Sequence, residues 1–88
     1  MNRIFTIQNE KGLHARAAAK LVALVEEFDA DAFVSREGER VGGTSIMGLL
    51  MLAAAKGTTI DVETEGPEAA ALMEAIDGLI RDRFSEGK

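Results

Sequence analysis

Apolar and polar residues alternate over Arg3–Gln8 (RIFTIQ), with Phe5 and Ile7 on one side, and the run NEKG that follows is turn-forming. That pattern predicts a first strand. From Ala15 to Phe28 there is neither glycine nor proline, and Ala18, Leu21, Val22, Val25 and Phe28 recur at helical spacing. A helix facing a core is predicted there. Ala32–Arg36 (AFVSR) is rich in β-formers, and Arg40-Val41 resumes it after Glu37-Gly38-Glu39, which predicts a hairpin. Ser45 then offers an N-cap for a second helix, IMGLLMLAAAK, running to a stop at Gly57. Ile60 and Val62 alternate with Asp61 and Glu63 within Thr58–Thr64, a fourth strand. Pro67 suits the first turn of a last helix, whose apolar stripe is Leu72, Met73, Ile76, Leu79 and Ile80, with Phe84 beyond.

The resulting order is β-α-β-β-α-β-α. Strands with one apolar side predict an α/β open-faced sandwich, a four-stranded antiparallel sheet covered on one face by three helices. The 88 residues suit one domain, residues 1–88, with SEGK as a polar tail.

Composition removes whole classes of chemistry. Without cysteine there is no disulfide, thiolate metal site or thiol nucleophile, which suits the cytoplasm. The longest nearly apolar stretch, Ser45–Ala55, falls short of the ~20 residues that span a bilayer, and the N-terminus lacks the apolar run of a signal peptide. A cytoplasmic protein with no membrane association is the expectation. Ten basic residues against fifteen acidic give a net charge of −5, and the chain lacks a basic cluster, Tyr and Trp. Nucleic acid is not the expected partner.

The stretch GLHARAAAKLV carries the only histidine. His14 has two readings. In one it ends a loop and helps to cap the first helix. In the other, its ring lies near the unpaired N–H groups of Ala15, Arg16 and Ala17, where the helix dipole favours an anion and disfavours an imidazolium. A neutral imidazole is a nucleophile. Arg16, a cation misplaced at a helix N-terminus, supplies a donor fork suited to phosphoryl oxygens. Lys11 is close enough in sequence to add positive potential, and Gly12 suits a tight turn or a close approach. Together these parts make a phosphohistidine site, with the backbone of Ala15, Arg16 and Ala17 as the cradle. No second histidine or cysteine completes a triad or zinc site, no P-loop holds a nucleotide, and no carboxylate cluster suggests a metal. The chain therefore reads as a phosphoryl carrier without cofactor, not as a stand-alone enzyme.

GGTSIMGLLML poses a second question, since a short helix apolar almost all round cannot bury every side. With Leu49, Leu52 and Ala53 toward the core, Ile46, Met47, Leu50 and Met51 point outward as a docking patch. Ser45 is at least an N-cap. A phosphate on its hydroxyl would set about two negative charges beside that patch.

Gly12-Leu13-His14-Ala15-Arg16, Ser45-Ile46-Met47-Gly48 and the element order together resemble the HPr phosphocarriers of the bacterial phosphoenolpyruvate-dependent phosphotransferase system, over essentially the whole chain. The resemblance implies a carrier, expected as a monomer, that takes a phosphoryl group from phosphorylated Enzyme I and hands it to an Enzyme IIA-type protein, any magnesium belonging to the donor enzyme. It implies that His14 is phosphorylated at Nδ1 and assisted by Arg16. Ser45 matches the serine that an HPr kinase/phosphorylase modifies in some branches, and Ile46, Met47 and Leu50 match the docking surface. Many members have proline after the arginine, where this chain has Ala17. The HAR and GTSIMGLLMLAAAKG segments look like variants serving regulatory branches, including the nitrogen-related system, so sugar transport and regulation both stay open.

Overall fold

The computed structural model describes residues 1–88. Four strands, β1 (Asn2–Thr6), β2 (Asp31–Arg36), β3 (Glu39–Gly42) and β4 (Thr59–Glu65), form one sheet in the order β1-β4-β2-β3. Every neighbouring pair is antiparallel. The register sets Phe5 opposite Ile60 and Val34 opposite Val62, so the apolar side of each strand falls on one face. A one-residue slip of any one strand would turn that strand's apolar side chains to water.

Two helices, α1 (Ala15–Glu26) and α3 (Ala69–Arg81), and the short α2 (Ile46–Met51) cover that face. α1 buries Ala17, Ala18, Leu21 and Val25, and α3 buries Leu72, Met73, Ile76 and Ile80. Together with Phe5, Ile7, Val34, Ile60, Val62 and Leu49 they make one continuous core. The opposite face of the sheet is open, and there the Arg40 guanidinium lies 3.9 Å from the Phe33 ring centroid and pairs with Glu63 at 3.2 Å. No helix is long and apolar enough to cross a membrane.

The β2–β3 hairpin closes through Glu37 and Gly38, both with positive φ (50° and 87°), between the paired Arg36 and Glu39. Positive φ at both central residues matches the right-handed twist of the strands. α1 stops two residues short of Phe28 because its final turn tightens, Glu27 N–H and Phe28 N–H reaching back three residues to Leu24 and Val25. Val22 and Phe28 are consequently only partly buried at the core's margin. Pro67 precedes the helix rather than opening it. The Ala69 N–H donates to Gly66 O at 3.2 Å, which makes Pro67 a turn residue, and α3 begins at Ala69.

The largest departure from expectation is α2. It ends at Met51 instead of running to Lys56, and Ala53 takes a left-handed φ of 51°. Ala53 is exposed, and Ala54 takes the core position instead, at 2% exposure. The cause is tertiary: the Ala54 carbonyl accepts the Leu13 N–H at 2.9 Å, while Arg36 reaches across to cap Leu52 O at 3.1 Å. These bonds satisfy groups at the helix end and pull the chain out of helical geometry. The alanines that suit a helix thus line a loop beneath His14.

The tail also departs from expectation. Arg83, Phe84 and Ser85 all have positive φ (52°, 53° and 62°), so the chain reverses after α3. Phe84 is buried from this turn and not from the helix.

Candidate functional site

The site starts from a closed turn between β1 and α1. The Gly12 N–H donates to Asn9 O at 3.1 Å, and Asn9 Nδ2 donates back to Gly12 O at 2.7 Å. Gly12 has φ of 66°, and a Cβ there would stand 2.5 Å from Ala54 O. Both expected uses of glycine, the turn and the close approach, therefore apply to this residue. Leu13 is buried beside it and donates to Ala54, which fixes where the next residue begins.

That residue is His14, the N-cap of α1, with extended backbone (φ −83°, ψ −179°). Its carbonyl accepts the Ala18 N–H at 2.8 Å, but its side chain makes no capping bond. The capping role is thus excluded for the ring. The N–H groups of Ala15, Arg16 and Ala17 have no backbone acceptor, and no acidic side chain belongs to the first turn at the positive end of the helix dipole. Ala15 and Arg16 are exposed, whereas Ala17 has no accessible surface. Direct contact of an anion with the Ala17 N–H requires the first turn of α1 to be uncovered.

The His14 ring, 26% exposed, meets the carboxylate of Glu86 through Nε2. The other carboxylate oxygen of Glu86 accepts from Asn9 Nδ2 at 2.9 Å. The hydrogen bond from His14, then that from Asn9, hold the Glu86 carboxyl below its usual value of 4.5, against the opposing effect of burial, with charge on His14 and Lys11 adding to the shift. The Asn9 amide faces two acceptors, which orients its nitrogen toward them and leaves Oδ1 buried without a donor.

Arg16 is exposed and forms no ion pair or side-chain hydrogen bond. It borders a polar hollow of about 340 Å³ where Lys11, Lys20 and Lys88 also converge, facing Glu10 and Glu86. A chain of net charge −5 thus presents a concentration of cations beside its one histidine. His14 itself, with Lys11, Leu13 and Ala53–Ala55, lines a shallower hollow of about 220 Å³. No three His, Asp or Glu side chains converge to hold a metal ion.

Ser45 lies at a separate place, with no hydrogen bond to the His14 group. Its Oγ accepts the Gly48 N–H at 3.0 Å as the N-cap of α2. Ile46, Met47 and Met51 are 40%, 69% and 77% exposed, while Leu50 is half-buried against the core. Sequence reasoning missed Glu86 and Asn9. Glu86 stood in a short polar tail and Asn9 in a polar turn, and the one available signal was Phe84, an apolar residue just past the last helix that had to return to the core.

A lone histidine at the N-cap of a helix, next to an unpaired arginine and a lysine-lined hollow on an open-faced sandwich, is the build of a small phosphoryl-carrier domain. A family model described as "PTS HPr component phosphorylation site" matches residues 1–82. The chain is 47% identical to the phosphocarrier protein HPr of Cupriavidus necator over 88 residues, covering 100% of this chain and 99% of that protein. It is 41% identical to the phosphocarrier protein NPr of Shewanella violacea, over 98% of this chain and 94% of the relative. Among solved structures, HPr-C-His from Thermoanaerobacter tengcongensis superposes with a TM-score of 0.93 at 30% identity, covering 98% of this chain and 97% of that one. The chain belongs to the HPr family, the phosphocarriers of the phosphotransferase system.

Proposed function

We propose that His14 is the phosphoryl acceptor, taking the group through Nδ1 from phosphorylated Enzyme I and passing it to an Enzyme IIA-type protein. The observation that carries this reading is the His14 ring itself: it stands at the N-cap of α1 yet caps nothing, with its Nε2 occupied by Glu86. Nδ1 is left as the reacting nitrogen. Arriving phosphoryl oxygens meet the dipole of α1 and the N–H groups of its first turn, Ala15 and Arg16 foremost. Arg16, free of any carboxylate partner, balances the remaining charge. The donor and acceptor proteins complete the reaction.

The test is phosphorylation with Enzyme I, phosphoenolpyruvate and magnesium. Wild-type protein takes up an acid-labile, base-stable label, and His14→Ala takes up none. Label retained by His14→Ala would overturn the assignment.

A second reading concerns regulation through α2. Ser45 is exposed at the N-cap, beside the exposed Ile46, Met47 and Met51, with Leu50 behind them. This patch docks partner proteins, and a phosphate placed on Ser45 by an HPr kinase/phosphorylase changes that docking without unfolding the domain. Ser45→Asp is expected to weaken binding of Enzyme I at least fivefold while Ser45→Ala does not. Equal affinities for the two variants would remove the regulatory role.

A further inference from the structure

The last residues of the chain are tied down more firmly than their composition suggests. Arg83, Phe84 and Ser85 adopt consecutive left-handed conformations, disfavoured for any residue other than glycine. Phe84 is 1% exposed, its carbonyl accepts from Lys20 Nζ at 2.6 Å, and the Lys88 carbonyl oxygen accepts the Glu10 N–H at 3.2 Å. This reversal delivers one polar side chain inward. Glu86, only 11% exposed, spans Asn9 and the His14 ring, 72 positions away from His14 in sequence.

We infer that Glu86 is a positioning residue for His14, and that Asn9 orients Glu86 for this role. The pair holds the imidazole in the tautomer with its proton on Nε2, leaving the Nδ1 lone pair free. The inference rests on the reading of His14 as the phosphoryl acceptor.

The chemistry follows from the donor inventory. An ionised carboxylate only accepts hydrogen bonds, so the nitrogen facing Glu86 carries hydrogen, and a neutral ring has only one N–H. Asn9 has two amide hydrogens. One goes to Gly12 O and the other to Glu86 Oε1, which turns Oε2 to the ring. When Nδ1 bonds to phosphorus, the bond between phosphorus and the donor breaks and its electron pair leaves with the donor. The Nε2 proton stays, and the ring acquires positive charge. The Glu86 carboxylate stabilises that charge, which the N-terminus of α1 would otherwise disfavour. On transfer to an acceptor, the N–P bond breaks, its electron pair returns to Nδ1, and the ring is neutral again with the same proton in place. One contact therefore serves both directions.

The test has two arms on the full-length chain. In the first, ¹⁵N NMR of the neutral His14 ring is recorded without any phosphoryl donor, which separates this inference from the identity of the acceptor. Wild type is expected to show the Nε2–H tautomer alone, and Glu86→Ala the mixture characteristic of a free imidazole. In the second arm, steady-state phosphoryl transfer from Enzyme I is measured for Glu86→Ala and for Glu86→Gln, which preserves side-chain size while offering one acceptor to two donors. The expected result is a kcat lowered about tenfold or more in both variants, with KM for this protein within about twofold of wild type. Dispersed amide spectra show that each variant is folded. An unchanged tautomer in Glu86→Ala, or an unchanged kcat in both variants, would overturn the inference.

Discussion

Replacing Gly12 by alanine tests how the fold places His14. At φ 66° an alanine is strained by roughly 1–2 kcal/mol, because its Cβ crowds the backbone. The new Cβ would also stand 2.5 Å from Ala54 O and 2.9 Å from Ala55 Cα, both backbone atoms that cannot rotate away. Relief of that contact pushes apart the two segments joined by the Leu13–Ala54 hydrogen bond of 2.9 Å, a loss of about 1 kcal/mol or more for buried groups. The sum is about 2–3 kcal/mol, a large part of the ~4–13 kcal/mol expected for a domain of this length. Gly38→Ala is the matched control. Its φ is 87° but nothing lies within 4 Å of the added Cβ, so only the backbone strain of roughly 1–2 kcal/mol applies. Thermal unfolding followed by far-UV circular dichroism measures both, since the chain has no Trp or Tyr to report by fluorescence. Gly12→Ala is expected to melt on the order of 10–20 °C below wild type and to accept phosphate more slowly. If the two variants were equally stable, the close approach of Gly12 to Ala54 would not be what holds the site.

Two further outcomes follow from single contacts. Ser45→Ala removes the acceptor for the Gly48 N–H and is expected to lower stability by about 1 kcal/mol, whereas Ser45→Asp keeps a cap; chemical denaturation distinguishes them. Because the Glu86 carboxyl is held below its usual 4.5 in the folded chain, its stabilising contribution is complete above that value and is lost as pH falls through the lower folded value. Protection factors of the tail amides, taken relative to intrinsic exchange at each pH, are expected to fall as pH drops through that acid range, and Glu86→Gln to abolish this pH dependence.

The strands and the two long helices were readable from local periodicity, because the residues that alternate or recur at helical spacing are those the core covers: Phe5, Val34, Ile60 and Val62 on the sheet, Leu21, Val25, Leu72 and Ile76 on the helices. His14 and Arg16 were readable for a similar reason, since a helix start is a local event marked by the residues that form it. The end of α2 was not. Ala53–Ala55 favour a helix, yet one hydrogen bond from Leu13 and another from Arg36, remote in sequence, outweigh the few tenths of a kcal/mol per residue that separate alanine from other residues.

The sequence alone determined which elements form, which side of each is apolar, and that the single histidine stands at the mouth of a helix. Those are properties of a residue and its near neighbours. The tertiary structure decided that Glu86 meets the His14 ring, that Asn9 holds Glu86 there, and that Gly12 rests on the Ala54 carbonyl. Each of these joins residues far apart in the chain, and their pairing is set by how the helices pack on the sheet, where a polar tail has no periodicity to announce its destination.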